Sequence, residues 1–253
     1  MPSSNPTRIV MITGGSRGIG AACARRAAAA GYAVCVNYAR DQAAAAAVVD
    51  AIRAGGGRAL AVQADVASEA DVVRLFETCD RELGRVTDLI NSAGVVAPAG
   101  RVDTMDTARI ERVFRINVLG TFLPTREALR RISTRHGGSG GTIVNISSAA
   151  ARLGGSGEYV DYAASKGAID TMTIGLAREV AEESVRVVAI RPGLIATEIH
   201  SSQGAVGRLE RLAPSVPVKR AGTAEEVANA AVWMISPEAS YVTGAILDVT
   251  GGR

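Results

Sequence analysis

Short runs of wholly apolar residues alternate along the chain with longer stretches of helical spacing. Residues 9–13 (IVMIT) are apolar without interruption, as a strand covered on both faces requires, and 18–30 carries a helical pattern. The succession repeats. A strand at 33–38 precedes an alanine-rich helix over 41–53, which GGG at 55–57 stops. A strand at 58–63 precedes a helix capped by Ser68 and running to Leu83. A strand at 86–91 precedes a long helix over 107–134, with a kink expected near Pro124. The remaining strands fall at 142–147, 185–191 and 245–249, with helices over 162–183 and from the Thr223 cap to Ile235.

This alternation predicts an α/β fold, a doubly wound seven-stranded parallel sheet with helices on both faces. No repeat or composition shift divides the 253 residues, so a single domain over 1–253 is expected. The mixed, polar stretch 194–216 is expected to form a substrate lid beyond the strand ends.

Composition narrows the function classes. Hydrophobic residues at 47% and charged residues at 21% are the balance of an ordinary globular protein. The net charge of +3 is scattered among acids, with no basic run or interleaved aromatics, so no nucleic-acid partner is expected. The start MPSSNPTR is polar, and the apolar run after it is too short to span a bilayer, which predicts a cytoplasmic protein without a membrane partner. Cys23, Cys35 and Cys79 form no CxxC pair and fit buried, reduced thiols. With His136 and His200 as the only histidines and no HExxH, neither a metal site nor a Ser-His-Asp triad is expected.

Two features carry chemistry. The first strand ends in TGGSRGIG, where Gly14, Gly18 and Gly20 allow a tight turn and a close approach of backbone N–H groups to a pyrophosphate. The following helix offers the positive end of its dipole to the same anion. Further on, Tyr162 and Lys166 lie four positions apart on one helix face, where an ammonium would favour the phenolate and lower the tyrosine's pKa.

The T-G-x3-G-x-G spacing resembles the short-chain dehydrogenase/reductase family, in its carbonyl-reductase branch, and the family's other motifs appear in order. Asn91-Ser92-Ala93-Gly94 is similar to its NNAG, with Ser92 in place of the second Asn. Asn117, the strand end Ile143–Ser148, the YAASK of Tyr162 to Lys166, and Arg191-Pro192-Gly193 with Thr197 complete the series. The resemblance implies a Rossmann fold and a catalytic set of Asn117, Ser148, Tyr162 and Lys166. Ser148 would polarise the substrate oxygen, Tyr162 would deliver the proton, Asn117 would hold a water and Lys166 would also bind the nicotinamide ribose. Ser147 stays as the alternative serine, because Ser148 lies 14 positions before the tyrosine where 13 is the family's usual spacing; an extra residue in the loop 154–157 would absorb the difference.

The implied cofactor contacts are Gly14, Ser16, Arg17, Gly18, Ile19 and Gly20 in the first loop, and Asn37, Tyr38 and Arg40 after the second strand. Asp65, Val66, Asn91, Ala93 and Gly94 follow, then Tyr162, Lys166, Pro192, Gly193, Ile195 and Thr197. The cofactor is expected to be NADP(H): Asn37 stands where NAD-selective proteins carry an acid, and Arg17 or Arg40 would bind the 2′-phosphate. The substrate would be a small carbonyl or alcohol, a ketone, 3-oxoacyl thioester or sugar, facing Val95, Val96, Ala150, Leu153, Tyr159, Gly193 and Leu194. The resemblance also implies a homotetramer, to which apolar positions such as Met172 and Leu176 and the tail TGAILDVTGGR would contribute. Enoyl reduction stays open, because Tyr159 sits seven positions before Lys166, the spacing of the family's enoyl reductases. So does a non-catalytic NADP-binding sensor on the same fold. An epimerase of the extended branch would need a substrate domain for which this chain is too short.

Overall fold

The computed structural model describes residues 8–197 and 207–253. Its seven strands are β1 (Ile9–Thr13), β2 (Ala33–Tyr38), β3 (Ala59–Gln63), β4 (Asp88–Asn91), β5 (Gly141–Ile146), β6 (Val185–Pro192) and β7 (Ile246–Val249). They form one sheet in the order β3-β2-β1-β4-β5-β6-β7, with every pair parallel. The main helices are α1 (Gly18–Ala29), α2 (Gln42–Ala54), α3 (Glu69–Glu82), α4 (Thr107–Phe114), α5 (Gly120–Ile132), α6 (Ala150–Leu153), α7 (Val160–Glu179), α8 (Arg208–Leu212) and α9 (Ala224–Ile235).

Period-two alternation splits each apolar strand between two cores. Val10 and Ile12 of β1 pack with Cys23 and Ala27 of α1, Val48 and Ile52 of α2, and Val227 and Ile235 of α9. Met11 faces the other way, with Leu75 and Phe76 of α3, Leu123 and Ile132 of α5, and Ala177 of α7. Helices thus cover both faces, and the expected doubly wound architecture is the one observed. The chain reverses its winding between β1 and β4, and in such sheets that crevice at the strands' C-terminal ends receives ligands. The register there sets Thr13 opposite Asn91 and Asn91 opposite Asn145, a buried polar row along the upper edge.

Four local expectations shift. β4 begins at Asp88 rather than at residue 86. The long helix is interrupted by a π turn at Arg115–Leu119, with Asn117 at its middle, and Pro124 sits inside α5 beyond that break. Such turns recur at functional sites because they re-aim one side chain. α7 begins at Val160 and ends at Glu179, followed by a 3-10 turn at Ala181–Glu183. α6, between β5 and α7, did not stand out in the sequence because it is only four residues long.

Candidate active site

The first loop is shaped by contacts that only glycine permits. Gly14 has φ +62°, and a Cβ there would lie 2.8 Å from the Ala93 Cα. A Cβ at Gly20 would lie 2.3 Å from the Gly14 carbonyl oxygen. Thr13 ties this loop to the next one, its hydroxyl accepting from the Ser92 and Ala93 amides at 3.0 and 3.1 Å. Asn37 is buried and locks the other side. Its Oδ1 accepts from the Gly14 amide at 3.2 Å and its Nδ2 donates to the Ala64 carbonyl at 3.0 Å. Asn37 is therefore a clasp between loop and sheet as well as a neutral residue where an acid would stand.

The N-terminus of α1 lacks both a side-chain cap and an acidic residue in its first turn. The helices α2, α3, α4 and α9 are capped by Asp41, Ser68, Asp106 and Thr223. A helix start without its own acceptor, beside glycines whose missing Cβ atoms leave room, suits an anionic phosphate. Ser16 and Ile19 are partly exposed on this loop. Gly18 has φ +52°, and a Cβ there would lie 3.5 Å from Thr197, so the loop faces the end of β6 across the crevice. The residues present thus fit a dinucleotide.

Arg17 and Arg40 are exposed at the mouth, Arg17 with its guanidinium 4.0 Å from Asp41. Tyr38 is buried and its carbonyl accepts from the Ala64 amide. Asp65 is exposed and its Oδ1 accepts from the Ala67 amide, while Val66 is buried against Gly120. On the far side, the Pro192 carbonyl accepts from the Ala149 amide and the Gly193 amide donates to Val249, with no room for a side chain at Gly193 against Thr250. Ile195 is buried and bridges to Gly222. Residues 198–206 of the expected lid lie outside the described residues.

The second half of the site is built on α7. Lys166 is 5% exposed, its ammonium donates to the Ile146 carbonyl at 2.7 Å, and it sits 5.7 Å from the Tyr162 ring centroid. Burial pushes its pKa down to about 8, against a smaller opposing pull from Asp170. Burial raises the pKa of the Tyr162 phenol, and the neighbouring Ser148 hydroxyl pulls it the other way. The expectation that Lys166 lowers it is not met: the ammonium is turned to the Ile146 carbonyl, and Ser148 is the group that favours the phenolate. Ser147 is buried and its hydroxyl donates to the Lys166 carbonyl at 3.3 Å, away from the phenol. The loop between Ser148 and Tyr162 carries left-handed Gly154, Gly155 and Gly157.

Asn117 is fully buried and its amide is spent. Oδ1 accepts from the Val95 amide at 2.8 Å, and Nδ2 donates to the Val95 carbonyl at 2.9 Å and to Ser165 Oγ at 3.0 Å. Its carbonyl accepts from the Thr121 hydroxyl at 2.7 Å. Gly94 comes close to both centres, since a Cβ there would lie 3.4 Å from Asn117 Oδ1 and 3.6 Å from Lys166 Nζ. Asn91 donates to Thr125 and to Asn145, each at 2.9 Å, so it braces the sheet below the crevice.

Three supporting features escaped the sequence reading. Ser165, buried, accepts from Asn117 and donates to the Tyr162 carbonyl at 2.7 Å, joining the π turn to α7. Asn145 donates to Thr173 at 3.0 Å and carries the polar row into the same helix. Arg109 of α4 grips Asp161, next to Tyr162, with bonds of 2.8 and 3.2 Å. Only the place of Ser165 inside the YAASK segment and of Asp161 next to it could have flagged them. Tyr159 stacks edge-on against Tyr162 at 6.0 Å. Among the described residues no group of three His, Cys, Asp or Glu could hold a metal, and no helix is long and apolar enough to cross a membrane. All three cysteines are buried.

The chain is similar to known proteins over nearly its whole length. A family model described as Enoyl-(Acyl carrier protein) reductase matches residues 14–253. The uncharacterised oxidoreductase YgfF of Escherichia coli (strain K12) is 49% identical over 245 residues, covering 97% of this chain and 99% of that protein. Glucose 1-dehydrogenase 2 of Bacillus subtilis (strain 168) is 36% identical over 245 residues, covering 97% and 94%. Among solved structures, a blue fluorescent protein from a metagenomic library in complex with NADPH superposes with a TM-score of 0.87 at 33% identity, covering 97% of each chain.

Proposed function

Because this chain belongs to the short-chain dehydrogenase/reductase family and is an oxidoreductase of that type, we propose that it moves a hydride between NADP(H) and a small carbonyl or alcohol substrate. The observation that carries this reading is the grouping of Tyr162 with Ser148 beside its phenol and Lys166 5.7 Å from its ring, at the crevice where the glycine loop faces Thr197. Bound NADPH would supply the hydride.

The protein's own part follows from the charge that develops on the substrate oxygen. Ser148 would donate a hydrogen bond to that oxygen and Tyr162 would give it a proton. A phenol with a raised pKa is protonated at neutral pH and ready to act as the acid. Lys166, whose ammonium stands 5.7 Å from that ring, would balance the tyrosinate left behind once turned from the Ile146 carbonyl, and would hold the ribose. The water on the Asn117 carbonyl would return the proton. The glycine loop and the N-terminus of α1 hold the pyrophosphate, and Arg17 and Arg40 the 2′-phosphate; the NADPH in the superposed blue fluorescent protein supports that choice of cofactor. Val95, Val96, Ala150, Leu153, Tyr159 and Leu194 face the substrate, with 194–216 as its lid and 1–253 as one domain.

Enoyl reduction is the second reading. Its support is the description of the matching family model and the position of Tyr159 against Tyr162. A panel of ketones, sugars, 3-oxoacyl and enoyl thioesters, run with NADPH and NADH, tests both. Turnover of a carbonyl with NADPH is expected; turnover of enoyl thioesters alone would reverse the choice. The same reading includes a homotetramer, supported by exposed Ile110, Phe114, Leu119 and Phe122 on α4, the π turn and α5. Light scattering of a stable monomer at micromolar concentration would end that part.

A further inference from the structure

The row Tyr162–Lys166 continues one turn further along α7. Asp170 follows at the same four-residue interval, so the three residues share one helix face. Helical side chains lean toward the N-terminal turn, which lays the Asp170 carboxylate over the turn that carries Lys166. Asp170 is 6% exposed. Its Oδ2 takes both bonds from Arg191 of β6, from Nε at 2.9 Å and from Nη2 at 2.8 Å. Its Oδ1 is buried and has no hydrogen-bond partner among the described residues. An arginine that grips both carboxylate oxygens spends the acid's charge on itself; here one oxygen is left over. A buried acceptor without a partner is costly unless its field acts on something nearby, and the buried ammonium of Lys166 is the cation one turn away.

Arg191 is itself shared. Its Nη1 stands 3.8 Å from Asp248 of β7, whose other oxygen is 3.6 Å from Arg152 of α6. The charges alternate in sign from Lys166 through Asp170, Arg191 and Asp248 to Arg152. Around the ammonium itself the charged or titratable groups are Tyr162 and Asp170 from α7, with Arg191 from β6 behind Asp170. The neighbours from β5, from the loop after β4 and from the π turn are the Ile146 carbonyl, Gly94 and Asn117, all uncharged.

We propose that Asp170 and Arg191 form a positioning pair behind Lys166: the carboxylate keeps the buried ammonium charged and beside Tyr162, and the guanidinium tempers that carboxylate. Neither touches substrate or cofactor. Arg191 directly precedes the Pro192-Gly193 turn, so the pair also couples that turn to the lysine. The inference rests on Lys166 as the partner of Tyr162.

The two members act on Lys166 with opposite sign, which separates this role from a structural one. The readout is the pH dependence of Lys166 acylation by acetic anhydride in the protein without cofactor, followed by peptide mass spectrometry. Asp170→Asn removes the negative charge and leaves a like charge nearby, so the midpoint should fall by about one pH unit. Arg191→Gln frees the carboxylate, so the midpoint should rise. Asp170→Glu should stay near the parent. The alkaline limb of kcat/KM should move in the same directions, because Lys166 must be protonated to support the tyrosinate. If Asp170→Asn does not fold, the upward shift in Arg191→Gln alone decides. Shifts of the same sign in both variants, or no shift in a folded variant, would overturn the proposal. Opposite shifts in labelling from a protein that reduces no carbonyl would leave the pair standing and remove the carbonyl reading.

Discussion

The two ends of the sheet each bury an ionisable side chain, and they treat it differently. At the lower end Asp88 is fully buried, and its oxygens accept from Arg8 at 2.5 Å, from the Thr142 amide at 3.1 Å and from Thr87 at 2.8 Å. At the upper end Lys166 is as deeply placed, yet among the described residues its ammonium makes one hydrogen bond, to Ile146. Burial pushes both toward the neutral form, Asp88 up to about 6 and Lys166 down to about 8. The difference lies in what remains to be satisfied. Asp88 has its partners and serves the fold. Lys166 keeps two N–H donors for something the described residues do not supply, as a functional cation should.

The comparison breaks most visibly if both residues are truncated. Lys166→Ala should cut turnover at least ~100-fold and weaken cofactor binding while leaving the melting temperature nearly unchanged. Asp88→Ala should do the reverse. It should cost roughly 2–3 kcal/mol of stability, less than a wholly buried pair because Arg8 stays one-third exposed, with little change in KM. Calorimetry and steady-state kinetics on the two variants check this; a Lys166→Ala protein that fails chiefly by unfolding would equate the two ends.

A smaller effect sharpens the account of the upper end. Arg17→Ala with Arg40→Ala should lower NADPH affinity on the order of tenfold and leave NADH nearly unaffected, since only NADPH has the 2′-phosphate. Isothermal titration with both cofactors reads this directly. Equal losses for the two would mean that the arginines act on the pyrophosphate or on the fold.

The smallest concerns pH at the lower end. Asp88 has its folded pKa raised, so its contribution to stability is fully present below about pH 4. That contribution is lost as pH rises to about 6. The stability of the parent relative to Asp88→Asn should therefore fall across that window and stay level above it. Denaturant titrations at pH 4, 5, 6 and 7 would reveal a flat difference if Asp88 titrates normally.

The parts of the molecule legible in the sequence are those set by local pattern. Strands buried on both faces must be apolar throughout, so all seven could be placed to within two or three residues. The glycine loop could be read because its spacing answers a backbone constraint, seen in the 2.3 Å approach at Gly20. Tyr162 and Lys166 could be paired because four residues make one helix turn. What stayed hidden depends on distant partners. Pro124 looked like the weak point of the long helix, whereas the break falls at Asn117, whose amide is claimed by Val95 twenty-two positions earlier. Asn37 could be read as a missing acid but not as a clasp, because its partners Gly14 and Ala64 belong to other elements. Asp170 and Arg191 lie 21 positions apart, with nothing in the spacing to link them.

The central claim is that Tyr162 gives the proton to a carbonyl oxygen held by Ser148. Its most direct test is the steady-state rate of carbonyl reduction by NADPH for Tyr162→Phe beside Tyr159→Phe, with cofactor affinity followed by fluorescence. The ring of phenylalanine preserves packing and removes only the proton, so Tyr162→Phe should bind NADPH normally and lose roughly 10²–10⁴-fold in turnover, while Tyr159→Phe should change mainly KM. Near-normal turnover in Tyr162→Phe together with a dead Tyr159→Phe would contradict the account and hand the chemistry to Tyr159.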